Sequence, residues 1–163
     1  MLLITIQDYA TKRIITWGSR PYVKNPQKKN HIYIDCHSEE GLITRFVDWW
    51  TKNTPEVITG WNCEMYDIPY LMGRIERIMG EKYAKRMSPW GICRRNEITI
   101  HGRPNIVYDI AGISVIDYLD LYKKSPATPN QESFKLDHIA MMELGQKKLD
   151  HSEYDTFRDF YTK

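Results

Sequence analysis

Residues 56–71 read Glu56-Val57-Ile58-Thr59-Gly60-Trp61-Asn62-Cys63-Glu64-Met65-Tyr66-Asp67-Ile68-Pro69-Tyr70-Leu71. Glu56 to Gly60 is a short, largely β-branched run and reads as a strand. Pro69 falls where a first helical turn begins, and Leu71, Ile75, Ile78 and Met79 repeat at helical spacing up to Gly80. Between strand and helix lies a dense set of polar and aromatic residues. In an α/β sheet the carboxyl end of a strand is where ligands bind. Gly60 lets the backbone turn there. Asn62 carries an amide that donates to and accepts from a phosphate or sugar. Trp61 and Tyr66 offer faces on which a base stacks. Asp67 offers a hard oxygen ligand for Mg²⁺ or Mn²⁺. Read from the residues, this is a candidate nucleotide and metal site. The competing reading is structural, with Asp67 as a helix cap and Trp61 as core.

On the amino-terminal side, Leu2–Gln7 and Arg13–Trp17 are rich in β-branched residues and predict a hairpin, and His31–Asp35 predicts a third strand. Ser19 to Asn30 is polar, holds Pro21 and Pro26, and reads as an exposed loop. Ser38 is a plausible N-cap for an amphipathic helix with Glu39 and Glu40 in its first turn, Leu42, Phe46 and Trp49 on its stripe, and Pro55 at its end.

On the carboxy-terminal side, Glu81 to Met87 predicts a further helical turn or two, and 94–109 predicts a β-hairpin turning over His101 to Asn105. Ser114–Asp117 reads as a strand leading into a helix at Tyr118–Lys124. Ser133 is a candidate cap for a helix carrying Leu136, Ile139 and Ala140 and closed by Gly145. The element order makes this a mixed-sheet α/β domain.

The chain has 163 residues, 42% hydrophobic and 27% charged, a globular composition of one domain's length. No apolar run approaches the ~20 residues of a membrane span, so no membrane partner is expected. The start becomes polar by Gln7 and lacks a basic segment, unlike a signal peptide. Three unpaired-looking cysteines, Cys36, Cys63 and Cys93, favour a reducing compartment. The formal charge of +2 neither announces nor excludes nucleic acid. There is no GxGxxG, P-loop, HExxH or GxSxG. The five histidines read as surface or satisfied side chains, and the cysteines as small buried hydrophobes.

The run Ile58 to Tyr70, with Arg74-Ile75 beyond it, resembles the second exonuclease motif of family B DNA polymerases, those of tailed phages especially: strand, Gly-Trp-Asn, an aromatic, Asp, then Pro-Tyr and a helix. Lys85–Pro89, Gly112–Lys124 and Ser133–Leu149 are similar to the segments that follow in that family, so the likeness runs in order over about residues 2–150. The resemblance implies an RNase H-like 3′→5′ proofreading domain, working by two-metal phosphodiester hydrolysis with Mg²⁺ or Mn²⁺ in the host cytoplasm. It implies that Asp67 is a metal ligand and that Asn62 lies beside the substrate. The partners it implies are a single-stranded 3′ end of DNA and the remainder of a polymerase chain. The hairpin at 94–109 matches the one that helps separate primer from template in that family. Arg94, Arg95, His101 and Arg103 suit phosphate contacts there. Lys148 matches a lysine near the family's active site. Lys123, Lys124 and Lys147 otherwise read as surface lysines.

Two family motifs have no match: an Asp-x-Glu before Met1, and a Tyr-x-x-x-Asp after Leu149, where Tyr154-x-x-x-Arg158 stands instead. The sequence therefore reads as a single partial exonuclease domain over 1–163, without its leading strand, its last helix or a polymerase domain. It is expected to be inactive alone, and strand Leu2–Gln7 is expected to lie exposed or to pair with a second copy. Asp109, Asp117 and Asp120 read as structural, Asp120 being the one that can border the active site. Two other readings stand beside the first: a non-catalytic nucleic-acid-binding module, and another RNase H-like nuclease.

Overall fold

The computed structural model describes residues 1–22, 29–100, 102–126 and 131–147. The chain divides into two compact units, Met1–Tyr118 and Leu119–Lys163.

In the first unit, β1 (Leu3–Gln7) pairs antiparallel with β2 (Ile14–Gly18), with Ile4 opposite Trp17 and Ile6 opposite Ile15. The turn between them is set by Asp8, whose carboxylate accepts from the Ala10 N–H at 2.9 Å and the Thr11 hydroxyl at 2.5 Å. β3 (His31–Asp35) lies parallel to β2 on its other side. The central strand is the most buried of the three. Thr16, buried within it, bonds through its hydroxyl to Thr5 and to His31 Nε2, both at 2.9 Å, so that its polar group is satisfied.

Helix α1 (Glu39–Lys52) begins where expected: the Ser38 hydroxyl accepts from the Gly41 N–H at 3.0 Å. Its buried stripe is Leu42, Ile43, Phe46, Val47 and Trp50. Trp17 from β2 meets Phe46 edge-on at 5.2 Å and Trp49 at the same distance, so one ring joins strand and helix through two aromatic contacts. The helix stops before Pro55, because the Asn53 N–H already closes it on the Trp49 and Trp50 carbonyls. Helix α2 (Asp67–Met79) adds Ile68, Met72 and Ile75 to the same core and starts two residues before Pro69, ending at Gly80.

Arg74 on α2 makes a fork to Glu39 on α1, with Nε and Nη2 donating to the two carboxylate oxygens at 2.8 and 2.6 Å. Both side chains are about three-quarters buried. The guanidinium holds the Glu39 carboxyl below the usual carboxylate range. A carboxyl with a lowered folded pKa contributes stability above its unfolded pKa, and that contribution is lost as pH falls through the lower folded value. Glu39→Gln is therefore expected to lower stability by about 1–2 kcal/mol at neutral pH, with the difference fading below pH 4.5. Urea unfolding of both forms across this range checks it; a pH-independent difference speaks against it.

A short helix α3 (Glu81–Ala84) and a 3-10 turn (Lys85–Met87) follow, and the Met87 carbonyl accepts the Trp50 indole N–H at 2.8 Å. β5 (Cys93–Ile100) and β6 (Arg103–Ile110) form the expected hairpin, with a shorter turn than predicted: Ile100 already pairs with Arg103, around Gly102 at φ 74°. Pro104 thus lies in a strand, opposite Thr99. Both strands of a two-stranded ribbon are edges, where a missing N–H is tolerated. The base of the hairpin is buried at Tyr108 and Ile110, and the Tyr108 hydroxyl donates to Glu76 of α2 at 3.0 Å. β7 (Ser114–Asp117) pairs in parallel with β4 (Val57–Gly60).

The strands of the expected mixed-sheet α/β domain lie, among the described residues, in three sheets: β1-β2-β3, β4-β7 and the hairpin β5-β6. Only the first is mixed. Neither β1 nor β4 has a described strand on its second edge.

In the second unit, α4 (Tyr118–Lys124) continues from the first unit's last residue, and α5 (Leu136–Leu144) ends on Gly145 at φ 64°. The Tyr122 hydroxyl donates to Glu143 at 2.5 Å, and its ring meets Phe134 edge-on. Ser133 does not cap α5: the N-cap is Lys135, whose own N–H donates to the Ser133 hydroxyl at 3.3 Å. Among the described residues no helix is long and apolar enough to cross a membrane.

Candidate active site

The strand β4 ends at Gly60, opposite Asp117 on β7. Gly60 is needed for close approach rather than for an unusual backbone: a Cβ there would lie 2.9 Å from Cys63 Cβ. The left-handed residue of the turn is Asn62, at φ 60°, a conformation that asparagine tolerates better than most side chains. This gives Asn62 a backbone reason to be present, beside any contact its amide makes.

Asp117 organises the turn. It is 8% exposed, and its two carboxylate oxygens accept the Asn62 N–H at 2.9 Å and the Glu64 N–H at 3.0 Å. The turn then closes into α2 through Tyr66 N–H to the Asn62 carbonyl and Ile68 N–H to the Cys63 carbonyl. Asp67 is thereby the first residue of α2. It is not the cap: Tyr66 holds that position, without a side-chain capping bond. Asp67 is exposed as a residue, yet partial desolvation raises its carboxyl pKa, its own N–H works the other way, and the like charge of Asp117 adds a further rise. The same two carboxylates, after burial itself, push the Cys63 thiol up to about 11, so this cysteine is a packed thiol at neutral pH.

A carboxyl in that setting is a hard oxygen donor that a cation would relieve of its neighbour's charge. The Asp117 oxygens are already committed to two amides. Among the described residues no three His, Cys, Asp or Glu side chains gather as a metal-binding group. Asp67 is thus the carboxylate this turn presents for a metal, and among the described residues it is not part of a three-ligand group, which fits a ligand of a larger set.

Around Asp67 stand the aromatic rings. Tyr66 is 66% exposed and stacks on Tyr70, with planes 6° apart and centroids 6.4 Å apart. Trp61 is half-buried and tilts against the exposed Tyr118 at 6.1 Å. Tyr70 and Tyr118 lie in the segments that carry the family likeness, but neither is among the substrate residues expected from the sequence. The four-residue step from Tyr66 puts Tyr70 one helical turn on, a signal that was available; Tyr118 is brought in by the β4–β7 pairing, which was not.

Of the other expected residues, Arg103 is exposed where the hairpin turns. Arg94 is paired across the hairpin with Asp109 at 3.0 Å. Asp120 pairs with Lys124 at 3.5 Å within the second unit, and Lys123 lies over the Phe134 ring. His101, Lys148 and the segment 154–158 lie outside the described residues.

A family profile described as DNA polymerase family B, exonuclease domain, matches residues 3–139. The DNA-directed DNA polymerase of Escherichia phage RB69 is 44% identical over 119 residues, which is 72% of this chain and 13% of that protein. That of Enterobacteria phage T4 is 38% identical over 118 residues, again 72% and 13%. The DNA polymerase catalytic subunit of Elephantid herpesvirus 1 is 32% identical over 141 residues, 85% of this chain and 13% of the relative. The chain spans about an eighth of the length of the curated relatives it matches.

Proposed function

The chain belongs to the exonuclease-domain family of the family B DNA polymerases, and from that premise we propose that it is part of a proofreading 3′→5′ exonuclease that removes mispaired 3′-terminal nucleotides within a DNA-directed DNA polymerase. The observation that carries this reading is the Asp67 carboxyl, exposed at the exit of β4 beside the stacked Tyr66 and Tyr70. A carboxylate for a divalent ion next to a platform for unpaired bases is what cleavage of a frayed 3′ end requires. Mg²⁺ or Mn²⁺, when bound, supplies an activated water and stabilises the leaving oxygen. The chain's own contribution is to place Asp67, to seat the terminal bases on Tyr66, Tyr70 and Trp61, and to offer the Asn62 amide to the sugar–phosphate. Arg103 at the hairpin's end and Lys148 are assigned to the DNA backbone.

The finer fold belongs to the same reading. An RNase H-like sheet joins β1-β2-β3 and β4-β7 through a further strand. The second edges of β1 and β4, which carry no strand among the described residues, suit such a strand, and we assign the family's Asp-x-Glu to it. The third carboxylate is assigned to a Tyr-x-x-x-Asp helix. In this reading 1–163 form one partial exonuclease domain of a larger polymerase in the host cytoplasm, with the 94–109 hairpin inserted, and the polymerase chain and the primer's single-stranded end are its partners. In the chain alone, the edge of β1 that no described strand covers is a surface for self-association, readable by light scattering.

The decisive experiment is excision of a 3′-mismatched primer by a polymerase carrying this domain, with Asp67 intact and replaced. The platform has its own test. Tyr66→Ala is expected to weaken binding of a single-stranded 3′ end by about 5- to 150-fold, since one stacked base is worth ~1–3 kcal/mol. Fluorescence anisotropy with a labelled oligonucleotide reads it, and unchanged affinity removes Tyr66 from the substrate. A non-catalytic nucleic-acid-binding module is the second reading, favoured by the lack of a three-ligand metal group among the described residues. Binding that is kept with excision absent at every metal concentration selects it.

A further inference from the structure

Asp117 is the buried carboxylate that the proposed chemistry leaves unused. It comes from β7, 55 and 53 positions away in sequence from the two amides it holds, those of Asn62 and Glu64. Those amides lie on the turn that starts at Gly60 and delivers Asp67 to the first position of α2. One of them belongs to Asn62, whose left-handed backbone is the least favoured conformation in the turn. Charge-assisted bonds from a carboxylate to N–H groups are about twice as strong as neutral ones and are directional. Here both oxygens of one side chain are engaged at 2.9 and 3.0 Å, so the turn has a single register against β7. Its carboxylate also lies close enough to act electrostatically on Asp67 and Cys63.

We propose that Asp117 is a positioning residue for the exonuclease site: by holding the Asn62 and Glu64 amides it sets where the Asp67 carboxylate and the Trp61 and Tyr66 rings stand. This rests on the reading of Asp67 given above. The role is distinct from metal binding, because the groups Asp117 serves are backbone N–H donors. It also differs from core packing, because its effect must pass through the turn to the rate.

The test uses a polymerase carrying this domain, with Asp117→Asn. Asparagine keeps the shape and one acceptor oxygen but turns an NH₂ toward the second amide. Outer residues that orient a ligand typically contribute 10–100-fold. The expected result is a fall of about 10–100-fold in excision kcat, a raised half-saturating Mg²⁺ concentration and faster amide hydrogen exchange confined to 61–67. Nucleotide incorporation and exchange in α1 are expected to be unchanged. Asp117→Ser, smaller and neutral, is read in the same way, and serves if the asparagine form loses protection throughout α1 and α2. A wild-type kcat and metal dependence, with or without a lower melting temperature, overturns the proposal. Asp67→Ala, run in parallel, separates the two ideas: if it retains excision, the reading of Asp67 fails, whereas loss there with no effect at Asp117 removes only the positioning role.

Discussion

Replacing Asp67 by alanine in a polymerase that carries this domain is expected to lower excision of a mismatched 3′ terminus by about three orders of magnitude, with nucleotide incorporation unchanged. The size follows from what the carboxylate is assigned to do. Two dications ~3.5–4 Å apart need several carboxylates to offset their repulsion, and Asp67 is the one assigned to them here. Their stabilisation of the developing charge is worth several kcal/mol, and each 1.36 kcal/mol is a factor of ten in rate. Asp67→Asn tests the charge alone and is expected to fall nearly as far, since a neutral amide oxygen is a weaker ligand for a hard cation. For the same reason the isolated chain, with one such carboxylate, is expected to show no excision in Mg²⁺ or Mn²⁺. Single-turnover assays on a labelled primer measure all three, and an Asp67→Ala rate within tenfold of wild type would sink the assignment.

Truncating Trp17 is expected to have the largest effect on stability, about 3–5 kcal/mol. Trp17 is 1% exposed and stands at the junction of the first sheet and α1, edge-on to Phe46 and tilted on Trp49. Trp17→Ala removes the ring's own burial and leaves a void beside Phe46 and Trp49, which stand on a helix in the same packed core and cannot close it fully. Set against a total stability of ~5–15 kcal/mol for a domain, that is a large fraction. Trp17→Phe keeps the edge-on contact to Phe46 and is expected to lose about half as much. Urea unfolding followed by far-ultraviolet circular dichroism gives both values, and a loss below about 1.5 kcal/mol for the alanine form would show that the sheet and α1 are not coupled through this ring.

Most elements of the fold were legible because their causes are local. Ser38 with Glu39 and Glu40 marks a helix start through bonds that span three residues, and the stripe on α1 repeats at the spacing its backbone imposes. The hairpin at 93–110 follows from alternation around a glycine turn, and only its turn length was misread, because a proline in a two-stranded ribbon carries no penalty that the sequence displays. Ser133 was misread for the opposite reason: the hydroxyl is present and serves the residue ahead of the helix.

The candidate site divides in the same way. By itself the sequence determined the strand–turn–helix order from Val57 to Met79, the place of Asp67 between strand and helix, the neighbouring Trp61 and Tyr66, and the family to which this pattern belongs, since each depends on residues within a few turns of one another. Tertiary structure alone decided that Asp117 holds the turn, that Gly60 is there for Cys63, that Tyr118 joins Trp61, and that the described strands form separate small sheets with no described partner on the second edges of β1 and β4. The physical reason is that these contacts join backbone amides, rings and strand edges distant in sequence. No periodicity announces such a meeting, because the chain acquires it only when β7 comes to lie beside β4.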